Sequence, residues 1–102
     1  MSDKDVDKEF RSMIDSFIHL ANEHSDTTNT ENVSMALLYA AARFNSFVVA
    51  SHAEDLKKFE SDREAAFEFF LGEYKKMLKE NLDDHQKVYG EGLKYAHLMI
   101  KH

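Results

Sequence analysis

The chain has 102 residues, enough for one compact domain but too few for two, and 43% of them are apolar, which favours a globular fold over a disordered one. The net charge of −6 lacks the positive excess that nucleic-acid binding requires. There is no cysteine, so disulfides, thiolate metal ligands and a cysteine nucleophile are excluded.

The scarcity of turn-forming residues indicates an all-helical fold. The sequence has no proline and three glycines, and its one turn-like cluster is Ser25–Asn32. We predict a single all-α domain over residues 1–102, a three-helix antiparallel bundle with its core at about residues 5–85. Residues 86–102 are expected to form a short fourth helix or an arm.

The first predicted helix runs from about Asp5 to His24. Apolar residues recur on one side at helical spacing, at Val6, Phe10, Met13, Ile14, Phe17 and Ala21. Asp15, His19 and Glu23 lie four positions apart on the other side. Such a row is able in principle to hold a metal ion, but we favour an exposed face with weak attractions between neighbours.

The second predicted helix begins with Thr30 or Asn32 as its N-terminal cap and ends near Ser51. Between Val33 and Ala50 the only charged residue is Arg43, so the helix is apolar around almost its whole circumference. We expect it to be the most buried element, covered by the other helices of the chain or by a second copy. Its length just permits a membrane span, but a charge near the middle argues against one.

Three polar residues of this helix, Tyr39, Arg43 and Asn45, are the candidate ligand-binding residues. An arginine in an apolar helix is nearly always paired, so we favour an ion pair between Arg43 and a carboxylate. The alternative is an anion-binding pocket. The candidate carboxylates are Glu64, Glu68, Glu80, Asp83 and Asp84.

The third predicted helix follows a turn near Ser51–Ala53 and ends at about Leu82, with Asp83-Asp84-His85 as its terminus. Its apolar stripe comprises Leu56, Phe59, Ala66, Phe67, Phe70, Leu71, Tyr74, Met77, Leu78 and Leu82. Phe69 lies on the polar face, and Leu98 and Met99 supply apolar surface in the tail. These last three residues are the candidate interface residues of a predicted homodimer.

The segment Leu38–Asn45, LYAAARFN, followed by Phe47, resembles the most recognisable part of a family of small bacterial proteins, the domain of unknown function 3144. Phe17–Asn22 upstream and Tyr74–Asp84 downstream fit the same family in residue type and spacing. The resemblance covers roughly residues 10–85. It implies an all-helical cytoplasmic protein and, because the family carries no assigned activity, it supplies no catalytic residues.

The sequence contains no catalytic signature. It has no Gly-rich phosphate loop, no Glu-x-x-His, no His-Glu-x-x-His and no nucleophile-elbow pattern around a serine. We therefore expect no cofactor, no metal, and neither nucleic acid nor membrane as a partner. The favoured function is a structural or protein-interaction module that self-associates in the cytoplasm. The alternative is a small-ligand (anion) binding protein, or an enzyme, with a pocket near Tyr39, Arg43 and Asn45.

Overall fold

The computed structural model describes residues 3–91, with side chains over residues 5–90, and these residues form three α-helices. The helices are α1 (Asp3–Ser25), α2 (Thr30–His52) and α3 (Leu56–Glu91). No strand occurs within residues 3–91, so the all-α prediction is confirmed. The antiparallel bundle remains a prediction. The chain divides into two compact units at Ala40–Ala41, so α2 begins in the first unit and ends in the second.

The connection between α1 and α2 is shorter than predicted. The N–H groups of Thr27 and Thr28 donate to the carbonyl of His24 at 3.2 and 3.1 Å, which closes the end of α1. Asn29 caps α2, because its Oδ1 accepts a hydrogen bond from the N–H of Asn32 at 2.7 Å. The prediction of Thr30 or Asn32 as the cap was therefore wrong, since both residues already lie inside the helix.

The connection between α2 and α3 lies where the sequence placed it. Residues 53–55 separate the two helices, which confirms a turn near Ser51–Ala53. Asp55 caps α3, with its Oδ1 accepting a hydrogen bond from the N–H of Lys58 at 2.9 Å. A carboxylate at this position also offsets the partial positive charge of the helix N-terminus.

α3 is longer than predicted and continues to Glu91, a length of 36 residues or about 54 Å. Asp83, Asp84 and His85 therefore lie inside the helix, and placing the terminus there was wrong. The Lys79 ammonium pairs with the Asp83 carboxylate at 3.0 Å, an attraction between successive turns that favours continuation. α3 also runs across residue 86, where the sequence placed the start of the tail. The tail candidates Leu98 and Met99 lie outside the described residues.

Little of the described chain is buried. Among residues 5–90, Val33 is the only buried residue, at 8% exposure. Phe44 and Phe47 in α2 are 65% and 62% exposed, so the described helices of one chain do not enclose α2, and its cover by a second copy stays a prediction. Each part of α2 shares its unit with one other described helix, and a single neighbour covers only one side.

The Asn29 cap predicts a measurable loss of stability on substitution. Asn29→Ala removes the acceptor of the Asn32 N–H and should lower the free energy of unfolding by about 1 kcal/mol. Asn29→Asp keeps an acceptor and should lower the free energy of unfolding by only a few tenths of the loss expected for Asn29→Ala. Urea unfolding followed by circular dichroism, at one protein concentration, compares the two variants. Equal losses would show that the cap contributes nothing.

Candidate functional site

The polar candidates on α2 are accessible. Tyr39 is 66% exposed, Arg43 is exposed and Asn45 is partly buried. Ser46 donates a hydrogen bond from its hydroxyl to the Arg43 carbonyl at 2.9 Å, a contact internal to the helix. Asn45 lies two positions from Arg43, about 200° around the helix, so these two side chains diverge. Their role in ligand binding remains a prediction.

The predicted ion pair of Arg43 does not form among the described residues. Its guanidinium has no carboxylate of residues 5–90 within ion-pair distance, so none of the five candidate carboxylates reaches it. The physical reason is exposure. Water solvates an exposed guanidinium, and the cost that would force pairing arises only on burial.

The ion pairs that do form are local. They join Lys58 to Asp62 at 3.2 Å, Glu73 to Lys76 at 3.4 Å and Lys79 to Asp83 at 3.0 Å, and His19 Nε2 contacts Glu23 Oε1 at 3.0 Å in the same manner. Each links residues three or four positions apart on an exposed helix face, where such a pair contributes about 0.5 kcal/mol or less. The His19–Glu23 contact confirms the weak attraction expected in the polar row of α1.

The described residues form no site with obvious ligand chemistry. Within residues 5–90, His, Asp and Glu make no group of three or more that could hold a metal ion. An open depression on α3 is lined by Asp83, Gln86 and Lys87. All three side chains lie within two turns of one helix, so a ligand in the depression would be contacted from one side only. The charges of Asp83 and Lys87 are opposite, so the depression favours neither an anion nor a cation.

Exposed aromatic side chains are prominent in the second unit. The rings of Phe44 and Phe47, one turn apart on α2, have their centroids 6.1 Å apart. Phe69 and Phe70 on α3 meet edge to face at 5.3 Å. Phe69 is 60% exposed, which is what a free interface residue requires, and its assignment to an interface remains a prediction.

The apolar stripe of α3 divides into two faces that sequence reasoning treated as one. Phe59, Ala66 and Phe70 are partly buried and lie along one side of the helix. A second row is exposed and comprises Leu56, Phe67, Leu71, Tyr74, Leu78 and Leu82. The width of the stripe was the available signal, because one neighbouring helix covers only about 100° of another.

α2 is also apolar enough to be compared with a membrane span. By length and composition it qualifies, with a mean hydropathy of 1.4 over an 18-residue window. Only 6% of that window is buried in the described chain, so α2 is not a covered core helix there, and one helix of this composition is by itself weak evidence for a membrane span. Arg43 lies near its middle, where a charge opposes insertion by about 2.5–3.5 kcal/mol.

Comparison with known proteins gives one match. A family model described as "Protein of unknown function (DUF3144)" matches residues 10–86, or 77 of the 102 residues. The matched region contains most of α1, all of α2 and α3 as far as Gln86. No curated protein and no solved structure matches the chain.

Replacing Arg43 distinguishes an exposed side chain from one buried against a second copy. Arg43→Met keeps much of the side-chain volume and removes the charge, so it should change the free energy of unfolding by less than about 1 kcal/mol. Urea unfolding of the intact protein measures this difference. A loss of roughly 3–5 kcal/mol would instead reveal a buried ion pair supplied by another copy.

Proposed function

This chain belongs to the DUF3144 family, and we propose that it is a structural or protein-interaction module that self-associates as a homodimer. The observation that supports this proposal is the exposure of large apolar side chains on all three helices. On α1, for example, Phe10 and Phe17 are 59% and 61% exposed. Apolar surface of this extent gains free energy when it is removed from water.

The exposed area is comparable with what an interface needs. In the second unit, Phe44, Phe47, Phe67 and Phe69 are between 60% and 65% exposed. A phenylalanine buries on the order of 150–250 Å² when it is covered, so each of the four leaves roughly 90–150 Å² in water. Together they expose about half or more of the roughly 800 Å² per partner of a standard interface, before any aliphatic side chain is counted. Phe67 and Phe69 lie about 200° apart on α3, so one interface uses only one of these two.

A second copy is the occupant that this surface fits best. Exposed large apolar side chains occur on each of the three described helices, and a two-fold interface uses the same patch on both subunits. The local ion pairs leave the apolar rows uninterrupted, so two copies can approach without stripping water from those paired charges. Association would then complete the core that one chain leaves open.

The alternative function is binding of a small anion. Arg43 supports it, because this guanidinium is exposed and has no carboxylate partner among residues 5–90. Phosphate or sulfate is the simplest probe. Stabilisation of the wild-type protein by phosphate, and its loss in Arg43→Met, would favour this function over a purely structural one.

Self-association predicts a mass of twice the 11.8 kDa of one chain. Light scattering coupled to gel filtration, with protein at tens of micromolar, should give that value. The thermal midpoint should also rise with protein concentration, since mass action stabilises a folded dimer over unfolded chains. A mass of one chain together with a constant midpoint would overturn the proposal. If the protein is recovered only in detergent, association with a membrane would be favoured over self-association.

A further inference from the structure

The exposed residues of α3 recur with a period of 11. Leu56, Phe67, Leu78 and Tyr89 are each 11 positions apart, and Leu71 and Leu82 follow the same spacing. With the residues between them they form one row, here called the α3 seam. The α3 seam comprises Leu56, Glu60, Arg63, Phe67, Leu71, Tyr74, Leu78, Leu82, His85 and Tyr89.

Every member of the α3 seam is exposed. Its apolar members range from 43% exposure at Leu78 to 72% at Leu56. An 11-residue repeat corresponds to about 3.67 residues per turn, so the α3 seam stays on one face of a nearly straight helix for about 50 Å. The partly buried Phe59 and Phe70 lie beside it, so the second unit covers a neighbouring face of α3 and leaves the seam open.

The spacing of the α3 seam is the same in both directions. The successive intervals are 4, 3, 4, 4, 3, 4, 4, 3 and 4 residues, with their midpoint between Leu71 and Tyr74. If two α3 helices run antiparallel about a two-fold axis at this midpoint, each seam residue of one copy therefore lies opposite a seam residue of the other copy along the whole length. Phe67 would then face Leu78 of the second copy, and Leu71 would face Tyr74 of the second copy.

The polar members of the α3 seam fit the same register. Glu60 and His85 are equidistant from the midpoint, so each would meet the other across the two-fold axis and not an apolar side chain. Arg63 would lie opposite Leu82 of the second copy, where its alkyl stem can cover apolar surface while its charge stays in water. A polar position within an apolar row favours one register over shifted ones.

Charges along one edge of the α3 seam select the antiparallel direction. Glu64 and Glu68 precede the midpoint, and Lys75 and Lys79 follow it at the same spacing of 11. Antiparallel helices bring the acidic half of this edge onto the basic half of the same edge in the second copy. Parallel helices would instead set this edge against the opposite edge of the α3 seam, where Phe59 and Phe70 lie and offer these charges no partner. Among the described residues, Glu64, Glu68 and Lys75 take no part in the local ion pairs, whereas Lys79 pairs with Asp83 at 3.0 Å.

We propose that a second copy of this chain covers the α3 seam, with the two α3 helices antiparallel about a two-fold axis between Leu71 and Tyr74. This inference rests on the proposed homodimer and specifies its interface. The seven apolar members of the seam, each roughly half exposed or more, supply an area on the order of the 800 Å² per partner of a standard interface.

Disulfide trapping tests the direction of the helices, and the absence of native cysteine makes it unambiguous. Phe67→Cys and Leu78→Cys are prepared separately, mixed, allowed to exchange and then oxidised. In the antiparallel register the two different variants lie opposite each other and form a mixed disulfide. Two copies of the same variant are offset by 11 residues, about 16 Å along the axis, which is beyond disulfide reach.

Intact-mass spectrometry without reductant distinguishes the products. The mixed disulfide as the dominant species is the expected result. If disulfides between two copies of the same variant dominate, the helices are parallel. That result would overturn the inference but would leave the proposed homodimer standing. A dimeric mass with no disulfide of either kind would show that something else covers the α3 seam. A monomeric wild-type protein would overturn the proposed function itself.

A matched pair of phenylalanines tests the face of α3 that is used. Phe67 and Phe69 are 61% and 60% exposed and lie two positions apart, about 200° around the helix, so only Phe67 belongs to the α3 seam. Phe67→Ser should raise the dimer dissociation constant at least tenfold, and Phe69→Ser less than threefold. Sedimentation equilibrium measures both. A larger effect at Phe69 would overturn the inference, and the disulfide test applies even if Phe67→Ser does not fold.

Discussion

Folding of a single chain leaves a large part of the apolar surface of the described residues exposed to water. Local contacts stabilise the helices: their backbone hydrogen bonds, the N-terminal caps at Asn29 and Asp55, and ion pairs between successive turns. None of these contacts covers an apolar side chain. Most of the large apolar residues of α1, α2 and α3 remain about 40–70% exposed, and this uncovered area is the main feature of the described chain.

The length of α3 determines how that area is arranged. A helix ending at Leu82 would leave Leu56 and Glu60 without matching positions in the C-terminal half of the apolar row. Continuation to Glu91 adds His85 and Tyr89, which complete the row symmetrically with Glu60 and Leu56. A symmetrical row on a nearly straight helix is a surface that can be complementary to itself, which is the geometric requirement of a two-fold interface.

Polar residues have a secondary but selective role in this arrangement. Exposed pairs between successive turns contribute little to stability, and Arg43 is solvated rather than paired within the described residues. The distribution of charge along α3 still carries information, because an acidic half and a basic half on one helix edge distinguish antiparallel from parallel neighbours. Apolar area would then provide the free energy of association, and charge order would provide its direction.

The sequence by itself determined the helical type, the three helices of residues 3–91, the turn after His52 and the family, because periodicity, turn composition and residue type are local properties. It did not determine where α3 ends or which faces are covered. Asp83-Asp84-His85 was read as a terminus, although exposed acidic residues do not stop a helix that is supported by pairs such as Lys79–Asp83. α2 was expected to be the most buried element, and its Phe44 is 65% exposed. Periodicity shows which residues share a face, but only the tertiary structure decides how many neighbours that face meets.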